Sequence, residues 1–70
     1  MTEEQKEKLR EVLKKYPKYE INYGDTYLTV TKYGYVYMTY QWTKNTVREF
    51  KPINQILFNE IMEIIGETRI

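Results

Sequence analysis

The sequence predicts a small α+β domain: an antiparallel meander sheet with an N-terminal and a C-terminal helix packed on one of its faces. Three observations predict it. Apolar residues recur at helical spacing over residues 2–16 and again over residues 53–65. Residues 19–42 instead alternate apolar and polar with a period of two. Turn residues, Gly24-Asp25, Gly34 and Lys44-Asn45, punctuate that alternating stretch. The expected order is α-β-β-β(-β)-α, in a single domain spanning residues 1–70. A chain this short buries only about 60% of its unfolded surface, so the core must be efficient. It has no cysteine to staple it, and relies on eight Tyr, two Phe, one Trp and its aliphatic residues.

The first helix is expected at about residues 2–16. Thr2 followed by Gln5 is a capping-box pattern, and Glu3 and Glu4 suit the positive end of the helix dipole. Leu9, Val12, Leu13 and Tyr16 form one apolar stripe, and Pro17 stops the helix. Its cations and acids are expected to compensate at i, i+4, as in Glu4–Lys8 and Glu11–Lys15. Strands follow at about 19–23 and 26–32. A two-residue turn at Gly24-Asp25 would pair Tyr23 with Thr26, Ile21 with Leu28 and Tyr19 with Val30.

The third strand is expected at about 35–42. A two-residue turn before it would set Val30 against Tyr37 and mix the faces. A three- or five-residue loop around Tyr33-Gly34-Tyr35 keeps Val36, Met38, Tyr40 and Trp42 on the core side. An optional fourth strand lies at 46–50. The second helix is expected at about 53–65, with Pro52 in its first turn and Gly66 as the left-handed residue past its end. Ile53, Ile56, Leu57, Ile61, Ile64 and Ile65 make its apolar face, while Glu60, Glu63 and Glu67 form a solvated acidic strip.

The chemistry the chain lacks narrows its function. It has no His, Ser or Cys, so triad chemistries and the usual Cys/His zinc sites are excluded. Its three glycines are scattered singly, so there is no phosphate loop. No catalytic residue, metal or cofactor is expected, and the chain reads as a non-enzyme. Eleven Lys and Arg face ten Asp and Glu, unlike a strongly cationic nucleic-acid binder. No run approaches the ~20 apolar residues that cross a bilayer, and the polar start is unlike a signal peptide. A cytoplasmic protein without a membrane partner is expected.

Alternation places Tyr27, Thr29, Thr31, Tyr37, Thr39 and Gln41 on the outer sheet face, with Tyr33 and Tyr35 in the adjoining loop. Tyrosine offers large contact area and a polar tip at low entropy cost. Thr and Tyr are also simply good strand formers. The expected partner-binding residues are Tyr27, Tyr33, Tyr35, Tyr37 and Arg48. Exposed rings can also stack single-stranded bases, with Lys32, Lys44, Arg48 and Lys51 as the nearby cations and Glu20, Asp25 and Glu49 opposing them. The basic end of the first helix, Lys14, Lys15 and Lys18, is the expected place for phosphate contacts.

The α-β-β-β-α order and the length resemble the double-stranded RNA-binding domain. That family grips phosphates with a Lys-rich cluster at the start of its second helix. Here the stretch reads Lys51-Pro52-Ile53-Asn54-Gln55-Ile56, so RNA binding is not carried over. Size and composition are also similar to small phage-encoded inhibitors, including anti-CRISPR proteins. The functional expectation is a small binding protein that occupies a protein partner's surface, as a phage or mobile-element inhibitor does. The alternatives are a nucleic-acid-binding module and a designed mini-protein with no natural partner. Self-association through an open strand edge is a further option.

Overall fold

A computed structural model describes residues 1–66 of the chain. The elements are α1 (Glu3–Lys14), β1 (Tyr19–Tyr23), β2 (Tyr27–Lys32), β3 (Tyr35–Gln41), β4 (Thr46–Glu49) and α2 (Gln55–Gly66). The four strands form one antiparallel sheet in chain order, so the optional fourth strand is present. Leu9 and Leu13 of α1, Leu28, Val30, Met38 and Tyr40 of the sheet, and Leu57, Ile61, Ile64 and Ile65 of α2 make one core. The helices therefore share one sheet face and leave the other bare.

The capping box forms as the sequence predicts. Thr2 Oγ1 accepts from the Gln5 N–H at 3.1 Å, and Gln5 Oε1 accepts from the Thr2 N–H at 2.9 Å. The helix stops at Lys14, with Lys15 as its C-cap, slightly before the expected end. Ion pairs on its surface run at i, i+3: Lys6–Glu3, Arg10–Glu7 and Lys14–Glu11. Lys15 turns away from Glu11 and reaches Glu60 of α2 at 2.8 Å.

Helix α2 begins later than predicted. Pro52 and Ile53 lie in the linker, and Asn54 caps the helix, its Oδ1 accepting from the Ile56 and Leu57 N–H groups at 2.9 and 3.1 Å. An Asn side chain can satisfy these free first-turn donors, whereas a proline there cannot. Ile56 consequently points outward and is 66% exposed, not part of the apolar face. Gly66 is the last helical residue and does not take the left-handed conformation. Glu60 is half-buried against Lys15 rather than solvated. Glu67 of the expected acidic strip lies outside the described residues.

Both hairpins depart from the expected turns while keeping the core faces. The first turn sits one residue later, at Asp25-Thr26, closed by the Gly24 N–H to the Tyr27 carbonyl at 2.7 Å. Tyr19 thus faces Lys32, Ile21 faces Val30 and Tyr23 faces Leu28. That shift keeps the parity of every residue, so Ile21, Leu28 and Val30 remain on the core side.

The second hairpin has a two-residue loop, not three or five. Tyr33 and Gly34 both have positive φ, 54° and 81°, the backbone of a type I′ turn. Lys32 pairs with Tyr35 and Thr31 with Val36, yet Val30 pairs with Met38. Tyr37 is an extra residue, a β-bulge that repairs the parity a tight turn would otherwise lose. The bulge exchanges two predicted positions. Val36 faces outward and is 39% exposed, and Tyr37 turns to the core side and packs on its margin.

Candidate functional site

The bulge gathers several side chains at one end of the sheet. The β2–β3 turn lies there, with the α1–β1 connection on one flank and the β4–α2 linker on the other. The Tyr37 carbonyl accepts from the Phe50 and Lys51 N–H groups at 2.8 and 3.3 Å, which ties the linker to the bulge. The Tyr19 hydroxyl accepts from the Asn54 N–H at 3.4 Å, which brings the start of α2 to the same place.

Rings and ammonium groups interleave across this end. Tyr19 and Tyr37 meet edge to face, centroids 5.6 Å apart at 81°. The Lys32 ammonium sits 5.0 Å from the Tyr19 ring centre, 5.7 Å from that of Tyr33 and 5.8 Å from that of Tyr37. Lys51 lies 5.1 Å from the Tyr35 ring centre. Such cation–π contacts contribute about 0.5–1 kcal/mol each at exposed sites. They hold rings and charges in fixed relation at a partly exposed margin of the core. Tyr33 and Tyr35 remain about two-thirds exposed, and Phe50 is exposed beside them in sequence to Lys51.

A depression of about 220 Å³ opens next to the rings, lined by Lys15, Tyr16, Pro17, Lys18, Tyr19 and Lys32. It lies where the chain leaves α1 and passes through Pro17 into β1. Lys15 at its rim is neutralised by Glu60, whose hydrogen bond and charge hold the lysine pKa above its ordinary value. The second Glu60 oxygen, Oε2, is buried without a hydrogen-bond partner among the described residues.

The structure divides the sequence-predicted contact residues. Tyr33, Tyr35 and Tyr37 come together at the hairpin end, but Tyr37 is half-buried there rather than displayed on the outer face. Tyr27 lies at the opposite end, facing Gln41, with its ring folded over Gly24; a Cβ at Gly24 would come within 2.3 Å of that ring. Arg48 is exposed on edge strand β4, facing Thr39. Of the expected phosphate contacts, Lys14 pairs with Glu11, Lys15 with Glu60, and Lys18 lines the depression. Tyr19, Val36 and Phe50 join this end without having been predicted to. Parity places Tyr19 on the core side, and only the Asn54 and Lys32 contacts show it reaching the margin.

The bare face of the sheet has a different chemistry. Its rows are Glu20-Thr31-Val36, Asn22-Thr29-Thr39-Arg48 and Tyr27-Gln41-Thr46. It presents mainly hydroxyls and amides, with Glu20 and Arg48 on its edge strands, Val36 at its hairpin end and a single aromatic ring, Tyr27.

Among the described residues, no group of His, Cys, Asp or Glu is placed to hold a metal ion, and no helix is long and apolar enough to cross a membrane. Compared with models of known families, with curated proteins and with solved structures, the chain matches none.

Proposed function

We propose that this chain is a non-enzymatic, cytoplasmic binding protein that acts by occupying the surface of a protein partner, with the β2–β3 hairpin end as its contact surface. The observation that carries this reading is the concentration of exposed Tyr33, Tyr35, Val36 and Phe50 around one bulge. A chain of this size gains nothing in solubility from displaying them together. Interfaces draw most of their energy from a few aromatic anchors, each about 2 kcal/mol or more. Type I′ turn geometry and the bulge hydrogen bonds hold these rings in place before any partner arrives, which lowers the ordering cost of association.

The test is retention of a protein from cell lysate on the immobilised chain, compared with the Tyr33→Ala/Tyr35→Ala variant and with Thr29→Ala/Thr39→Ala on the bare face. The lysate is used both untreated and after nuclease treatment. A protein kept by the parent and the threonine variant but lost by the tyrosine variant is the expected result. Equal retention by all three chains removes the hairpin from the contact. Retention that disappears with nuclease treatment favours the second reading, nucleic-acid binding, which the Lys32 and Lys51 contacts with tyrosine rings would suit.

A further inference from the structure

We infer that the hairpin end and the depression beside it take an acidic segment of the partner, whose carboxylates meet Lys18, Lys32 and Lys51 while its apolar side chains lie on Tyr33 and Tyr35. This rests on the protein-binding reading and adds the chemistry of the partner. The charge pattern supports it. Along α1, Lys6, Arg10, Lys14 and Lys15 each have a carboxylate within the chain. Lys18, Lys32 and Lys51 make no ion pair with the described residues. Cations are thus compensated on the helix and uncompensated around the rings.

Lys32 shows the consequence most clearly. Its residue is half-buried on the helix side of the sheet, and its ammonium faces the rings of Tyr19, Tyr33 and Tyr37. Ring faces attract a cation but leave its hydrogen-bonding capacity for another acceptor. The depression supplies room for that acceptor, and Lys18 lines the same walls. A carboxylate placed there would be drawn by two ammonium groups that make no ion pair among the described residues. Glu20, facing Thr31 near the turn, and Glu49, the last residue of β4, bound the positive area. Their charges oppose a phosphate backbone that would run past this end, and the depression has no arginine fork. A few carboxylates fit this area better than a polyphosphate strand.

Titration of the isotope-labelled full chain, followed by amide chemical shifts, tests this. The probes are a short peptide of alternating glutamate and leucine, its counterpart with lysine replacing glutamate, and an oligothymidylate. The acidic peptide is expected to move the amides of Lys18, Tyr19, Lys32 and Gly34 and to leave those of Thr29 and Thr39 in place. Lys18→Glu and Lys51→Glu, each checked for an unchanged fold by its own spectrum, should each weaken that binding several-fold and together about tenfold. Lys44→Glu, beyond the opposite end of β3, should leave it unchanged. Equal binding of the lysine peptide overturns the acidic preference and leaves the protein-binding reading standing. Binding of oligothymidylate alone overturns both. Failure of all three probes to move these amides overturns the inference.

Discussion

The bare face of the sheet and the β2–β3 hairpin end are built by the same strands, yet they offer opposite chemistry. The face carries Thr29, Thr31, Thr39, Gln41 and Asn22, side chains that water already satisfies. The hairpin end carries Tyr33, Tyr35, Val36 and Phe50 beside Lys32 and Lys51, which make no ion pair among the described residues. Alternation alone would have shared the tyrosines between the two regions. One inserted residue, Tyr37, turns its own ring off the face and turns Val36 onto the face's hairpin end, which leaves Tyr27 as the ring on the face. The lesson is that in a small sheet a single bulge decides where the aromatic surface lies, while the core hardly notices.

The largest effect should distinguish the two sides of β2. Leu28→Ala removes a fully buried side chain and should cost about 2–5 kcal/mol in urea denaturation. Its neighbour Thr29→Ala, on the bare face, should stay within about 0.5 kcal/mol. Similar costs would abolish the division on which the comparison rests.

The hairpin turn comes next. Gly34 sits at φ 81° with nothing within 4 Å of where a Cβ would go. Gly34→Val should therefore cost about 1–2 kcal/mol from backbone conformation alone. Thr39→Val on the bare face should cost nearly nothing by the same measurement. A neutral Gly34→Val would mean that the type I′ turn is not required.

Deleting Tyr37 sharpens the comparison further. Without it, the Lys32–Tyr35, Thr31–Val36 and Val30–Met38 pairs form an unbroken ladder. Cross-strand contacts between Val30 and Met38 should persist in the deletion variant, observed by nuclear Overhauser effects. The edge-to-face contact with Tyr19 should be lost, at a cost of about 0.5–1.5 kcal/mol beyond lost burial. A shift of Val30 to a different partner would show that the bulge sets the register rather than repairing it.

The smallest effect is alkaline. Tyr23 has its pKa raised, first by burial and then by the nearby Glu3 and Glu7, with Arg10 opposing. A phenol whose folded pKa exceeds its unfolded value is neutral in the native state when the unfolded chain has begun to ionise. Its contribution is therefore fully present below about pH 10 and declines as pH rises through the folded value. Tyr23→Phe should flatten that decline in melting temperature, and an unchanged pH profile would remove Tyr23 as its source.

Much of this was legible in the residues. The capping box at Thr2, the Leu9–Leu13 stripe, the stop at Pro17 and the core set of Leu28, Val30, Met38 and Tyr40 all follow from local pattern. The conflict between a tight turn and the face pattern at Gly34 was also visible. What the pattern left open was how the chain resolves it, because a longer loop and a bulge restore parity equally well. The hairpin tyrosines stand out in the sequence as candidate contacts, but Tyr27 and Tyr37 join them only by strand parity, which says nothing of distance along the strand or of a bulge, and Arg48 joins them only as a possible neighbour of the face.

The sequence by itself determined the order of the two helices and the first three strands, the core positions Leu28, Val30, Met38 and Tyr40, and the absence of Cys and His chemistry, because periodicity and composition act over a few neighbouring residues. Tertiary structure alone decided the bulge at Tyr37, the cap at Asn54, the place of Lys32 against the rings of Tyr19, Tyr33 and Tyr37, and that of Lys51 against Tyr35. Those depend on hydrogen bonds and packing between residues distant in the chain. The Phe50 and Lys51 amides reach the Tyr37 carbonyl, and the Asn54 amide reaches the Tyr19 hydroxyl, only once the sheet and helices have come together.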